Sequence, residues 1–372
     1  MLDLARELHR WCTEGRDFAV ATVIAVHGSA PRQPGASLAV DFDGTAIGSV
    51  SGGCVEGAVY ELCREALETG RGTAHRFGYS DEDAFAVGLT CGGVLDILVT
   101  PVNASQRGVY ESAFAAVLRG EATAVAHPAD GSPGVLVVHA DGTHRGATAG
   151  LPDVAAFLAS GRTGTVTVDC ERTTLFVESS APPPRMIVFG AVDFAAALVR
   201  AGKFLGYHVT VCDARPVFAT RQRFPDADEV VADWPHRYLE SQHVDSRTVL
   251  CVLTHDEKFD IPLLERALRL PAAYVGAMGS RRTHTARLQR LRETGLSDAE
   301  LSRLRSPIGL DLGGRTPEET ALSIAAEIVA VRRGGSGVPL TGAGVPIHRA
   351  EVAPGTARPR EEIGLAVPMS TV

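Results

Sequence analysis

Three features of the amino-acid sequence predict an α/β protein built as two domains. Ser180-Ala181-Pro182-Pro183-Pro184 interrupts the chain near its middle, and consecutive prolines hold an extended conformation that neither a helix nor a central strand continues. After that point short, nearly continuous apolar runs alternate with helical ones, the pattern of a parallel sheet buried on both faces. Before it, β-type runs and helices mix less regularly. The expected division is 1–180, 185–333 and a Gly/Pro-rich tail over 334–372.

The elements follow in order. Leu2, Leu4, Ala5, Leu8, Trp11 and Cys12 stand at helical spacing over 2–12. Strands are expected over 18–27, 37–40 and 46–50, the last two joined through Asp43-Gly44, a hairpin signal. A helix over 55–68 stops at Gly70. Strands 74–79 and 94–99, a helix over 106–119, a hairpin of 122–127 with 135–139, and strands 166–169 and 174–178 complete a mixed α/β first half. No internal repeat is visible. The second half reads as strand 186–189, helix 193–205, strands 208–212, 229–232 and 249–253, helix 261–270, strand 273–275 and helix 281–294. Leu322, Ile324, Ala325, Ile328, Val329 and Val331 mark a last helix. This alternation predicts a Rossmann-like, doubly wound parallel sheet.

Composition excludes several classes. With 372 residues the chain can bury two or three real cores. Its 36 Lys+Arg against 44 Asp+Glu give a formal net charge of −8, which argues against nucleic acid as a partner. No apolar run approaches the roughly 18 residues of a membrane helix, and the charged opening segment is no signal peptide. A cytoplasmic protein with no membrane contact is expected. Seven cysteines without a C-x-x-C spacing indicate reduced thiols rather than a disulfide framework or a zinc ribbon.

Two groups of motifs carry candidate chemistry. In the first half, Gly48-Ser49-Val50-Ser51-Gly52-Gly53-Cys54-Val55-Glu56-Gly57 and Cys91-Gly92-Gly93 each place a cysteine beside two glycines. Gly52-Gly53 feeds Cys54 into a helix start, where backbone N–H groups and the helix dipole favour an anion. A thiol there becomes a better nucleophile or soft-metal ligand; the alternative is a small buried hydrophobe beside a turn. Glu56, in the first turn, either accepts a proton or caps the amides. Cys12, Cys63, Cys212 and Cys251 fall on apolar stripes and are expected in the core. The loop after His27 holds Arg32, a candidate for an anionic ligand.

In the second half, Gly190-Ala191-Val192-Asp193 stands where a dinucleotide-binding turn belongs, with Asp213 ending the next strand where an acid would accept a ribose hydroxyl. Val192 occupies the position whose bare backbone lets a pyrophosphate approach, and it counts against NAD(P) in the usual mode. Gly279-Ser280-Arg281-Arg282 is either a phosphate cradle or an N-cap by Ser280 followed by solvated arginines. Thr254-His255-Asp256 ends a strand in the same half, and Thr316-Pro317-Glu318-Glu319 is a capping-box helix start.

Together these pieces resemble the XdhC/CoxI family, accessory factors of xanthine dehydrogenase and carbon monoxide dehydrogenase. The resemblance rests on Gly28-Ser29-Ala30-Pro31-Arg32 with Pro34-Gly35, on the two Gly/Cys motifs, and on Thr254-His255-Asp256. It continues through Tyr274 to Arg282, Ser306-Pro307-Ile308-Gly309-Leu310-Asp311 and Thr316-Pro317-Glu318-Glu319, in the family's order from about Thr22 to Arg333. It implies a non-turnover chaperone that binds molybdenum cofactor, as molybdopterin or its cytosine dinucleotide form. Such a chaperone holds the cofactor while a cysteine desulfurase supplies a sulfido ligand, then delivers it to an apo-molybdoenzyme of the xanthine or carbon monoxide dehydrogenase type. Cys54 and Cys91 then contact the metal or relay sulfur, with Glu56 beside them. Arg32, Ser51, Gly52, Gly53, Gly92 and Gly93 line the site, and Arg281 and Arg282 meet the phosphate. Where the family shows Gly-Ala-Gly-His, this chain has Gly190-Ala191-Val192-Asp193. The alternative function is an NAD(P)-dependent oxidoreductase using Gly190 and Asp213, and a homodimer is left open.

Overall fold

The computed structural model describes residues 1–28, 32–78, 93–168 and 173–342. The chain separates into two units, Met1–Pro184 and Arg185–Val372.

The first unit opens with α1 (Ala5–Thr13), whose apolar stripe buries Leu8, Trp11 and Cys12. Then come β1 (Phe18–His27), β2 (Ser37–Asp41), β3 (Ala46–Gly48), α2 (Glu56–Thr69), β4 (Thr73–Phe77) and β5 (Val94–Val102). These strands form one antiparallel sheet in the order β3-β2-β1-β5-β4. The expected hairpin at Asp43-Gly44 is present, with Val40 opposite Ala46. The chain continues through α3 (Arg107–Leu118), β6 (Thr123–Pro128), β7 (Leu136–His139), β8 (His144–Gly146), α4 (Leu151–Ser160), β9 (Gly164–Val168) and β10 (Thr173–Ser180). The second antiparallel sheet runs β8-β7-β6-β10-β9.

The two halves of this unit are the same motif twice. Each runs helix, three strands, helix, two strands, and each sheet has its third, second, first, fifth and fourth strands in that order. Gly48 and Gly146 are equivalent down to the atom they approach. A Cβ on either would strike the carbonyl of Ser37 or Val135 at 2.2 or 2.1 Å, and the next N–H donates to that same carbonyl at 2.8 Å in both. α1 and α3 share one core with Phe18, Val20, Val125 and Val137. Where the sequence shows no repeat, the backbone shows one.

The second unit contains β11 (Arg185–Phe189), α5 (Asp193–Phe204), β12 (His208–Asp213), β13 (Glu229–Ala232), α6 (Pro235–Glu240), β14 (Val249–Val252), α7 (Glu257–Ala267), β15 (Tyr274–Ala277), α8 (Arg281–Glu293), α9 (Asp298–Ser302), β16 (Leu304–Arg305) and α10 (Pro317–Arg333). All its described strand pairs are parallel, in the order β13-β12-β11-β14-β15-β16. That is the Rossmann order, with its switch point between β11 and β14. Met186 and Val188 face α5 and α10, while Ile187 and Phe189 face α6, α7 and α8. The predicted double winding is therefore observed. The sequence passed over β8, α4, α6, α9 and β16. β8, α6, α9 and β16 are short, and α4, with only Asp153 and Ser160 polar, is apolar on nearly every face, so little hydrophobic periodicity marks them.

Candidate functional site

In the first unit, the strand pairings bring three segments to one end of one sheet. His27 pairs with Val94, Thr22 with Ser37, Leu38 with Gly48, and Phe77 with Leu95. The segments that follow His27, that follow Gly48, and that lead from Phe77 to Val94 consequently leave from the same sheet end. The first two run on to Arg32 and to Ser51–Glu56, and Gly93 stands at the same end, next to β5. Gly93 is buried just before β5, and Cys91 and Gly92 lie outside the described residues.

Between Gly48 and α2 the chain folds into a nest around the Glu56 carboxylate. Oε1 accepts from Ser49 Oγ at 2.7 Å, the Ser51 N–H at 2.9 Å and the Gly52 N–H at 2.9 Å. Oε2 accepts from Ser51 Oγ at 2.5 Å and the Gly53 N–H at 2.7 Å. Ser51 Oγ in turn accepts the Cys54 and Val55 N–H groups at 3.0 and 3.1 Å. Successive N–H groups can converge this way because Gly52 and Gly53 take φ of +83° and +125°. Burial alone pushes the Glu56 carboxyl up, but the hydrogen bonds from Ser51, Ser49 and the backbone outweigh it and bring it down to about 2. Of the two roles read from the sequence, amide cap and proton acceptor, the geometry serves the cap. Such a carboxylate is a weak base at neutral pH. Ser49, given no role by the sequence, supplies both a donor to Glu56 and an acceptor for the Gly52 N–H at 3.0 Å; only its spacing from Ser51 hinted at this.

Cys54 is half-buried at the lip of this nest, where its side chain packs against the α2 core. Gly52 and Gly53 are exposed, with open space where a Cβ would stand. Arg32 is not part of the nest: its Nη2 lies 3.8 Å from Asp3. Cys12, Cys63, Cys212 and Cys251 are buried, and burial pushes all four thiols up, to about 12 for the first three.

In the second unit, Gly190 and Asp213 meet at the carboxyl ends of β11 and β12. A Cβ on Gly190 would lie 2.9 Å from Thr254 Cγ2, and its φ is +111°, so only glycine fits. Asp213 is buried, and both its oxygens are engaged within the chain. Oδ2 accepts the Ala191 N–H at 2.7 Å and Arg215 Nη2 at 2.8 Å; Oδ1 accepts the Arg215 N–H and Nε, each at 2.9 Å. Burial alone pushes this carboxyl up, and the bonds from Arg215 and Ala191 outweigh it, holding it below the usual carboxylate range. The acid expected to meet a ribose thus closes the turn beside it. Ser280 caps α8, its hydroxyl accepting the Thr283 N–H at 3.1 Å, while Arg281 and Arg282 are exposed at the helix start beside Gly279. Among the described residues no cluster of three metal-ligating side chains occurs. No described helix is long and apolar enough to cross a membrane.

This architecture defines the class. Residues 11–78 match the XdhC and CoxI family and residues 186–328 match the XdhC Rossmann domain, together more than half of the chain, and the protein belongs to that family. A probable xanthine dehydrogenase subunit of Bacillus subtilis is 27% identical over 85% of this chain and 94% of its own. The molybdenum cofactor insertion chaperone PaoD of Escherichia coli is 28% identical over 86% of this chain and 84% of its own. A crystal structure described as a xanthine dehydrogenase from Bacillus halodurans shares the fold, with TM-score 0.58 and 24% identity, over 92% of this chain and 98% of that one.

Proposed function

We propose that the protein is an accessory factor of molybdoenzyme maturation: it binds molybdenum cofactor as cargo, holds it during sulfuration by a cysteine desulfurase, and delivers it to an apo-enzyme of the xanthine dehydrogenase type. The observation that carries this reading is the likeness to a molybdenum cofactor insertion chaperone across 86% of the chain. The chemistry of the residues supports it. Cys54 supplies a soft sulfur donor suited to a molybdenum–sulfur centre, on a turn whose exposed glycines let a bulky ligand approach the backbone. Cys91 is the second candidate thiol, and Arg281 and Arg282 suit the cofactor phosphate. Glu56 organises the turn rather than moving protons. The NAD(P) alternative has its ribose-binding acid already bonded to Ala191 and Arg215.

The test is anaerobic retention of molybdenum cofactor by the purified protein, scored as pterin and molybdenum per chain, with NADH as competitor. Near-stoichiometric retention unaffected by NADH is expected, falling by about tenfold or more in Cys54→Ala or Cys91→Ala. No retention by the unmodified protein would overturn the reading. Full retention with undiminished partner activation in both variants would remove the cysteines from it.

A further inference from the structure

Two buried charged residues, Asp260 and Arg287, lie outside everything described above. Asp260 sits on the apolar face of α7 with Phe259, Leu263 and Leu264, and Arg287 on that of α8 with Leu291. Their side chains are 4% and 3% exposed, and Arg287 Nη2 donates to Asp260 Oδ2 at 2.9 Å. The same guanidinium donates to the Met278 carbonyl at 2.9 Å and to Ser306 Oγ at 3.0 Å. Asp260 Oδ1 accepts from Thr254 Oγ1.

Each of these contacts falls in a different segment. Thr254 begins Thr254-His255-Asp256 after β14. Met278 begins the turn to Gly279-Ser280-Arg281-Arg282 after β15. Ser306 begins Ser306-Pro307-Ile308-Gly309 after β16. One ion pair therefore touches all three carboxyl-terminal segments on this side of the switch point. A buried ion pair is a poor means of stabilisation, since apolar residues of similar volume often serve as well or better. What it supplies that they do not is direction: the guanidinium is a rigid planar fork that fixes each acceptor it holds.

We infer that Asp260 and Arg287 are a positioning pair, which locks the three segments into one arrangement and so presents Arg281 and Arg282 to an anionic ligand. The identity of that ligand rests on the cofactor reading above; the locking does not.

The test uses the full chain with Asp260→Leu and Arg287→Met combined, which removes the pair without stranding a buried charge. Hydrogen exchange is followed at the hydrogen-bonded amides that close the three segments, Lys258 and Phe259 on Asp256, Met278 and Thr283 around the second turn, and Ile308 and Gly309 after β16, alongside cofactor retention. The expected double variant melts within about 5 °C of the unmodified protein. Its exchange at those amides rises about tenfold or more while β11 and β12 keep their protection, and cofactor affinity falls about tenfold. A folded double variant with unmodified exchange at Met278 and Thr283 overturns the inference. If the unmodified protein retains no cofactor, the functional reading fails and the exchange comparison still decides the positioning. If the double variant does not fold, Thr254→Val and Ser306→Ala each remove one contact. Each is expected to loosen its own segment alone, and unchanged exchange in both again overturns the inference.

Discussion

At the scale of single residues, Glu56 and His127 give opposite kinds of titrating group with the same acid-side consequence. Glu56 titrates at about 2 in the fold against an ordinary 4.5. Its contribution is complete above about pH 4.5 and is lost as pH falls towards 2, because the unfolded chain takes up the proton first. Glu56→Gln is expected to lower stability by about 1–3 kcal/mol at pH 7, the gap from the unmodified protein closing between pH 4.5 and 2 in parallel thermal melts. A gap independent of pH would contradict the nest. His127 is buried against the Tyr110 ring, with centroids 5.7 Å apart, and burial lowers it from 6.5 to about 4. Its neutral form is the folded form, so stability declines as pH falls from 6.5 to 4. His127→Phe is expected to flatten that decline, by on the order of 3 kcal/mol at pH 4; an unaltered slope would show that the imidazole is not the group responsible. The site was only partly legible at this scale. The glycines, Cys54 and Glu56 stood out by type and spacing, but the partner of each carboxylate oxygen did not. Asp260 and Arg287 left one faint signal, a charged residue on the apolar stripe of an otherwise amphipathic helix.

At the scale of elements, α10 shows how far local rules reach. Thr316 caps it by accepting the Glu319 N–H at 3.2 Å, the Glu319 side chain returns to the Thr316 N–H at 3.1 Å, and Pro317 takes the first turn. All of this was readable from Thr316-Pro317-Glu318-Glu319. Thr316→Ala is expected to cost about 1 kcal/mol, seen as a lower denaturant midpoint with an unchanged slope. α2 begins differently: Val55 offers no cap, and Ser51 and Glu56 satisfy the amides from either side of it. Sequence spacing marked Glu56 as a candidate cap but gave neither its donors nor the path of the loop, because that path depends on two successive glycines at positive φ. Elements missed from the sequence were the shortest ones and α4, whose run is apolar on nearly every face and so marks no stripe.

At the scale of the molecule, each unit has its own cores. Calorimetry is expected to resolve two transitions. Glu56→Gln and His127→Phe should move one of them and Thr316→Ala the other; a single transition shifted by all three would show one cooperative unit. The sequence by itself determined the fold class, the Rossmann-like alternation and the ordered motifs of the XdhC and CoxI family, since these rest on local periodicity, turn chemistry and residue type. Only the tertiary structure decided that the first unit is one motif used twice, because strand order is set by pairings far apart in the chain. Only it decided that Asp213 and Glu56 are each held by a set of backbone and side-chain donors from within the chain, and that one buried ion pair joins three loops. Those outcomes depend on which donors lie within hydrogen-bond reach of which oxygens, and no spacing along a chain encodes that distance.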